Sequence, residues 1–209
     1  MRLPILAMWV TSTLALIGAE RKVRWLEFVF KPITTLLLLA VAGVPHTNFA
    51  RLIWAGILVS AVGDVALLWN TKRAFLVGLG AFLLAHVAYV IAFLGVAVWS
   101  PHVAIVAVVM VVSSTILLRL TWKGSAGIHP ATVAYGIVIS AMVVSAWATV
   151  GGPLPLALFA AIGSVLFYVS DSSLALNLFH KPIPHVAFLA IGVYWIGQLG
   201  IAIAASGSL

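Results

Sequence analysis

YVSDSSLALN, Tyr168 to Asn177, places a carboxylate inside an apolar run long enough to cross a bilayer. The same phrasing occurs earlier in VGDVALLWN, Val62 to Asn70. Aligning Asp64 with Asp171 puts Leu67 on Leu174 and Asn70 on Asn177, so D-x-x-L-x-x-N is present twice. Around both copies the sequence is that of a membrane protein. Of 209 residues, 64% are hydrophobic and only 7% charged, far from the composition of soluble domains.

A hydrocarbon core of about 30 Å takes about 20 apolar residues per helical crossing. Runs of that size recur throughout and predict eight crossings: Leu3–Ala19, Trp25–Val44, Arg51–Asn70, Ala74–Val98, His102–Leu120, Pro130–Val150, Leu154–Leu178 and Pro184–Ala204. The links are short, so residues 1–209 read as one all-α transmembrane bundle, with the first span retained rather than cleaved. Pro32 is expected either to kink the second helix or to begin its regular part.

The net charge of +7 follows membrane sidedness. One set of alternate loops holds Arg21, Lys22, Arg24, Lys72, Arg73, Arg119, Lys123 and Lys181; the other holds Arg2 and Arg51. The positive-inside rule makes the rich side cytoplasmic and puts both termini outside. This distribution does not form a nucleic-acid-binding stripe. The two aspartate motifs lie four helices apart and so run in the same direction, which suggests two parallel four-helix repeats with the carboxylates at one depth, six residues before the ends of their helices.

Intramembrane carboxylates are costly, about 2.5–3.5 kcal/mol each at a helix centre, and are expected to face the bundle interior. Asp64 and Asp171 are therefore the candidate catalytic pair, against the plainer reading of polar packing elements. Other polar groups fall at compatible positions. Lys31 lies a few residues inside the second span and either snorkels to the interface or serves the site. Phe82, His86, Tyr89 and Phe93 share one helical face. Ser60 precedes Asp64 by one turn, Ser164 and Tyr168 lie on the Asp171 face, and Ser170 and Asn177 belong to the motif itself. Tyr135 is in the sixth span, and Tyr194 and Gln198 are one turn apart in the eighth. His129, His180 and His185 approach helix ends, but no H-x-x-x-H pair shares a helix face, and no metal or other cofactor is expected. With no cysteine, disulfides and thiolate sites are excluded.

KPITTLL at Lys31, SAVGDVAL at Ser60, F-x-x-G-x-x-x-F-x-x-x-H-x-x-Y from Phe75 to Tyr89, LFYVSDSSLALNLF at Leu166 and YWIGQ at Tyr194 together resemble the YhhN/TMEM86 family. The resemblance covers nearly the whole chain in order. It implies an eight-helix lysoplasmalogenase, an ether hydrolase that cleaves the vinyl ether bond of choline or ethanolamine lysoplasmalogens to a fatty aldehyde and the glycerophospho head group. It also implies a lysophospholipid substrate drawn from the bilayer, water as co-substrate and a multi-pass protein of the bacterial inner membrane.

That reaction begins with protonation of the β-carbon and passes through an oxocarbenium ion. Two neighbouring buried carboxyls can hold one proton between them, and glycosidases use two carboxyls around a similar cation, so one of Asp64 and Asp171 is expected to donate the proton while the other steadies the cation and directs water. Lys31, with Tyr135 or the basic loops, is expected to take the phosphate. A competing reading is a small proton-coupled transporter using the intramembrane pair. A third is a structural membrane protein whose aspartates specify the packing. A lipid-facing homodimer contact is compatible with all three.

Overall fold

The computed structural model describes residues 2–207. The helices are α1 (Arg2–Arg21), α2 (Arg24–Ala42), α3 (Asn48–Ala66), α4 (Lys72–Leu94), α5 (Pro101–Thr121), α6 (His129–Trp147), α7 (Ala157–Phe179) and α8 (Val193–Ser206), the last preceded by a π-helical stretch, Phe188–Gly192. Among the described residues, eight helical segments are long and apolar enough to span a membrane, with Phe188–Ser206 as the eighth.

Local chemistry sets several of the boundaries. Thr47 and Thr71 cap α3 and α4, each accepting a hydrogen bond from the amide three residues on, Ala50 at 3.1 Å and Ala74 at 3.2 Å. Pro101 opens α5, where its missing N–H costs nothing. Helix α2 begins at Arg24 and continues through Pro32, which therefore does not begin its regular part.

Helix α3 stops at Ala66, four residues before the expected Asn70. The chain there tightens into i to i+3 turns, Leu68 N–H to Val65 and Trp69 N–H to Ala66, and then extends at Thr71 to start α4. Asp64 thus lies in the final turn of α3, whereas Asp171 lies eight residues before the end of α7. The expected equal spacing of six residues is not what forms.

Contacts between loops sort the two ends of the bundle. At the basic-rich end Arg24 donates to the Leu68 carbonyl at 3.3 Å, Phe75 meets Phe179 edge to face, and His185 approaches Glu20 at 3.1 Å. At the opposite end the Val98 amide donates to Ala148 at 2.6 Å and Trp54 donates to Gly43 at 2.7 Å. Successive helices pack in the pairs α1/α2, α2/α3, α3/α4, α5/α6, α6/α7 and α7/α8, and α4 also meets α6.

Helix α8 is the central element, packed against α2, α3 and α7. Its approach to α7 is backbone to backbone: a Cβ on Gly163 would lie 2.5 Å from the Gly197 carbonyl oxygen, and one on Gly200 would lie 2.5 Å from that of Phe159. Small residues permit this closeness, which in a bilayer substitutes dispersion contacts for the missing hydrophobic drive. The result places Tyr194, Trp195 and Gln198 in the fully packed interior.

Candidate active site

Asp64 is 1% exposed and is held from two neighbouring helices, α2 and α8. From α2, Thr35 Oγ1 donates to Asp64 Oδ2 at 2.5 Å and the Lys31 ammonium stands 3.5 Å from Oδ1. From α8, the Tyr194 hydroxyl donates to Oδ2 at 2.9 Å. Trp195 Nε1 in turn donates to Thr35 Oγ1 at 3.1 Å, fixing the hydroxyl that meets the carboxylate. At 3.5 Å and an effective dielectric of about 20, opposite charges attract by about 5 kcal/mol. Desolvating each ion costs several kcal/mol, so such a pair is tolerable only when hydrogen bonds complete its surroundings. Thr35 and Tyr194 supply them on Oδ2, while Oδ1 faces the Lys31 ammonium without a hydrogen bond.

Around this centre Gln198 organises a second layer. Its amide nitrogen donates to Ser60 at 3.0 Å and to the Tyr194 hydroxyl at 3.4 Å, while its carbonyl oxygen accepts from Tyr89 at 2.8 Å. A continuous run of polar contacts therefore joins Tyr89 on α4 to Asp64 on α3 through α8. Gly56 makes room for it: a Cβ there would meet the Tyr89 ring at 2.1 Å.

Asp171 has a different setting. Its Oδ2 accepts the hydroxyl of Tyr135 on α6, and Ser170 approaches Oδ1 only at 3.5 Å. Ser170 is committed elsewhere, donating to the Ala190 carbonyl at 2.6 Å within the π-helical stretch. No ion pair reaches Asp171 among the described residues. Asp64 and Asp171 are nonetheless linked by contacts: Tyr194 bonds Asp64 and its ring meets Phe167, Phe167 meets His86, and His86 meets Tyr135, whose hydroxyl bonds Asp171.

Between the two carboxylates lies an aromatic partition. The His86 ring meets Phe167 at 4.6 Å and Tyr135 at 5.3 Å between centroids, and Phe167 meets Tyr194 at 5.1 Å. His86 is wholly buried, and neither of its ring nitrogens has a partner in hydrogen-bond geometry, although the Phe82 carbonyl is nearby.

The residues singled out from sequence thus separate. Lys31, Ser60, Tyr89, Tyr194 and Gln198 gather on Asp64, Tyr135 joins Asp171, and His86 stands between them. The Lys31 ammonium is engaged by Asp64. Tyr168 points its hydroxyl to Ser113 and Ser114 of α5, at 3.2 and 3.1 Å, rather than to Asp171. Ser164 bonds its own helix at Ala161, and Asn177 accepts the Ile183 amide at 3.0 Å, shaping the turn after α7. Thr35 and Trp195 went unpredicted. Thr35 falls one turn after Lys31 and so shares its face, a signal the sequence does contain; Trp195 gave none beyond adjacency to Tyr194.

Comparison with known proteins is consistent across most of the chain. Human lysoplasmalogenase TMEM86B is 29% identical over 188 residues, covering 89% of this chain and 78% of that protein. Human lysoplasmalogenase TMEM86A is 30% identical over 168 residues, 77% of this chain and 67% of that one. A lysoplasmalogenase of Mycobacterium tuberculosis is 36% identical over 169 residues, covering 76% and 61%. No solved structure gives a significant match. The model of the YhhN family matches residues 26–205, which include both aspartates and every side chain that contacts them, and the chain belongs to that family.

Proposed function

We propose that this protein is a membrane-embedded lysoplasmalogenase that hydrolyses the vinyl ether bond of an alkenyl lysophospholipid, with Asp171 as proton donor and Asp64 as the ionised partner. The observation that supports this reading is that two intramembrane carboxylates, joined through one run of ring and hydroxyl contacts, have unequal surroundings. Asp64 has a cation and two hydroxyl donors, the environment of a carboxylate that stays charged. Asp171 has one phenol on Oδ2 and no cation, leaving Oδ1 to carry a proton. The names of the relatives supply the substrate class.

In the proposed reaction the Asp171 proton bonds to the β-carbon of the alkenyl chain and the double-bond electrons form that C–H bond. The adjacent carbon becomes an oxocarbenium ion, which the Asp64 carboxylate steadies. Water adds to it, and the hemiacetal collapses to an aldehyde and a free glycerol hydroxyl. Residues 171–177 are all partly accessible, on every face of two turns of α7, which favours entry of the lipid from the basic-rich end. There the loop cations, rather than the engaged Lys31, would meet the phosphate.

We also read the basic-rich end as cytoplasmic and the chain as two parallel halves. Exchanging α1–α4 with α5–α8 turns the pairs α1/α2, α2/α3, α3/α4 and α4/α6 into α5/α6, α6/α7, α7/α8 and α8/α2, all of which pack. In each half the aspartate takes hydrogen bonds from the helix before it, Thr35 of α2 and Tyr135 of α6.

Purified protein incubated with lysoplasmalogen and, separately, with its saturated ether analogue tests the activity. Fatty aldehyde from the first alone is expected. Release from neither, or from both equally, refutes the proposal.

A further inference from the structure

The mechanism just described uses both carboxylates and leaves one costly group unexplained. His86 is completely buried in α4, and neither ring nitrogen has a partner in hydrogen-bond geometry; only the Phe82 carbonyl, one turn back on its own helix, is nearby. A buried polar group without a partner costs about 1–3 kcal/mol, and native proteins keep few of them without a chemical reason. Its place is informative. It touches the ring of Tyr135, whose hydroxyl bonds Asp171, and the ring of Phe167, which packs on Tyr194, whose hydroxyl bonds Asp64. A third neighbour, Tyr89 at 6.5 Å, begins the run of contacts through Gln198. The hydroxyls of its neighbours Tyr135 and Tyr89 are already given to Asp171 and Gln198.

We infer that His86, not Asp64, takes the attacking water: it is a catalytic residue for the hydration step. This rests on the lysoplasmalogenase reading and extends it. As the water oxygen bonds to the cationic carbon, one O–H bond breaks and its proton passes to a His86 nitrogen, while the π pair returns to the ether oxygen. When the hemiacetal C–O bond breaks, the imidazolium gives that proton to the departing glycerol oxygen. The hemiacetal hydroxyl proton returns to the Asp171 carboxylate, restoring every group.

The test uses His86→Phe, which keeps an aromatic ring among Phe167, Tyr135 and Tyr89 but removes both nitrogens. A mere packing residue would tolerate the change, since replacing an unsatisfied polar group by an apolar one of similar shape is neutral or stabilising. With lysoplasmalogen in D2O, wild type is expected to release aldehyde carrying one deuterium at C2 and to leave unreacted substrate unlabelled, because carbon protonation commits the reaction. His86→Phe is expected to melt no lower than wild type, to lose about 100-fold in kcat with KM little changed, and to accumulate deuterium at the β-carbon of recovered substrate as the stalled cation gives its proton back. His86→Asn, which can orient water without taking its proton, is expected to label recovered substrate too, with a smaller loss, and reads the same step if the Phe variant does not fold. Wild-type-like kcat in His86→Phe, or a loss without deuterium in recovered substrate in either folded variant, overturns the assignment. Absence of aldehyde from wild type instead refutes the lysoplasmalogenase reading and, with it, this step.

Discussion

Replacing Lys31 by Met probes the ion pair at the centre of the site. The substitution keeps the length of the stem and removes the ammonium 3.5 Å from Asp64 Oδ1. At an effective dielectric of about 20 the lost attraction is about 5 kcal/mol, and breaking buried pairs generally costs about 3–5 kcal/mol because one charge is left uncompensated. The Lys31 side chain is 11% exposed, so some water reaches it, and a loss of about 3 kcal/mol is expected. Asp64→Asn should be destabilising for the converse reason. The double variant removes both charges and should recover about 2 kcal/mol relative to the sum of the singles, while remaining inactive. Unfolding in mixed micelles, followed by emission of the eight tryptophans, measures all four corners of the cycle. Additivity within about 0.5 kcal/mol would mean that the two groups do not interact, and the account of Asp64 as a paired, ionised carboxylate would fail.

Further outcomes follow from particular contacts. Asp171→Asn is expected to lower aldehyde release by about 100-fold or more with little change in melting, since it removes a proton donor yet keeps a hydrogen-bond acceptor for Tyr135; substantial turnover would exclude it as the acid. Tyr194→Phe deletes one donor to Asp64 and should cost about 1.5–3 kcal/mol of stability, read by the same micelle titration. Gly197→Ala would set a methyl 2.7 Å from the Gly163 carbonyl oxygen and 2.9 Å from the Phe167 amide, and should lower stability by about 1–3 kcal/mol. Gly80→Ala, with nothing within 4 Å, should be neutral or stabilising in the same assay.

Hydropathy alone made the eight spans legible, because the bilayer imposes a length and a composition on every crossing. Asp64 and Asp171 were equally visible, since a carboxylate in hydrocarbon needs a reason. What stayed hidden were distances between helices. Lys31 admitted two readings until the arrangement of α2 beside α3 put its ammonium on Asp64. Tyr168 shares a helical face with Asp171, but the lean of its side chain toward α5 takes the hydroxyl to Ser113 and Ser114. The early end of α3 depends on a few tight turns that apolar residues from Val65 to Trp69 do not announce. The π-helical stretch also lacked a signal, although it is what leaves the Ala190 carbonyl to Ser170, next to Asp171.

The central position of α8 has a consequence for biogenesis. Helices leave the ribosome in order, so α2, α3 and α7 must reside in the bilayer before the helix they pack against exists. Until it arrives, Asp64 can call on α2 but not on Tyr194, and Ser60 has no glutamine to meet. The contacts of α2, α3 and α7 with α8, and with them the polar cluster around Asp64, are therefore completed only with the last insertion. A chain stopped before Val193 would leave Asp64 without its Tyr194 donor and Ser60 without its Gln198 partner.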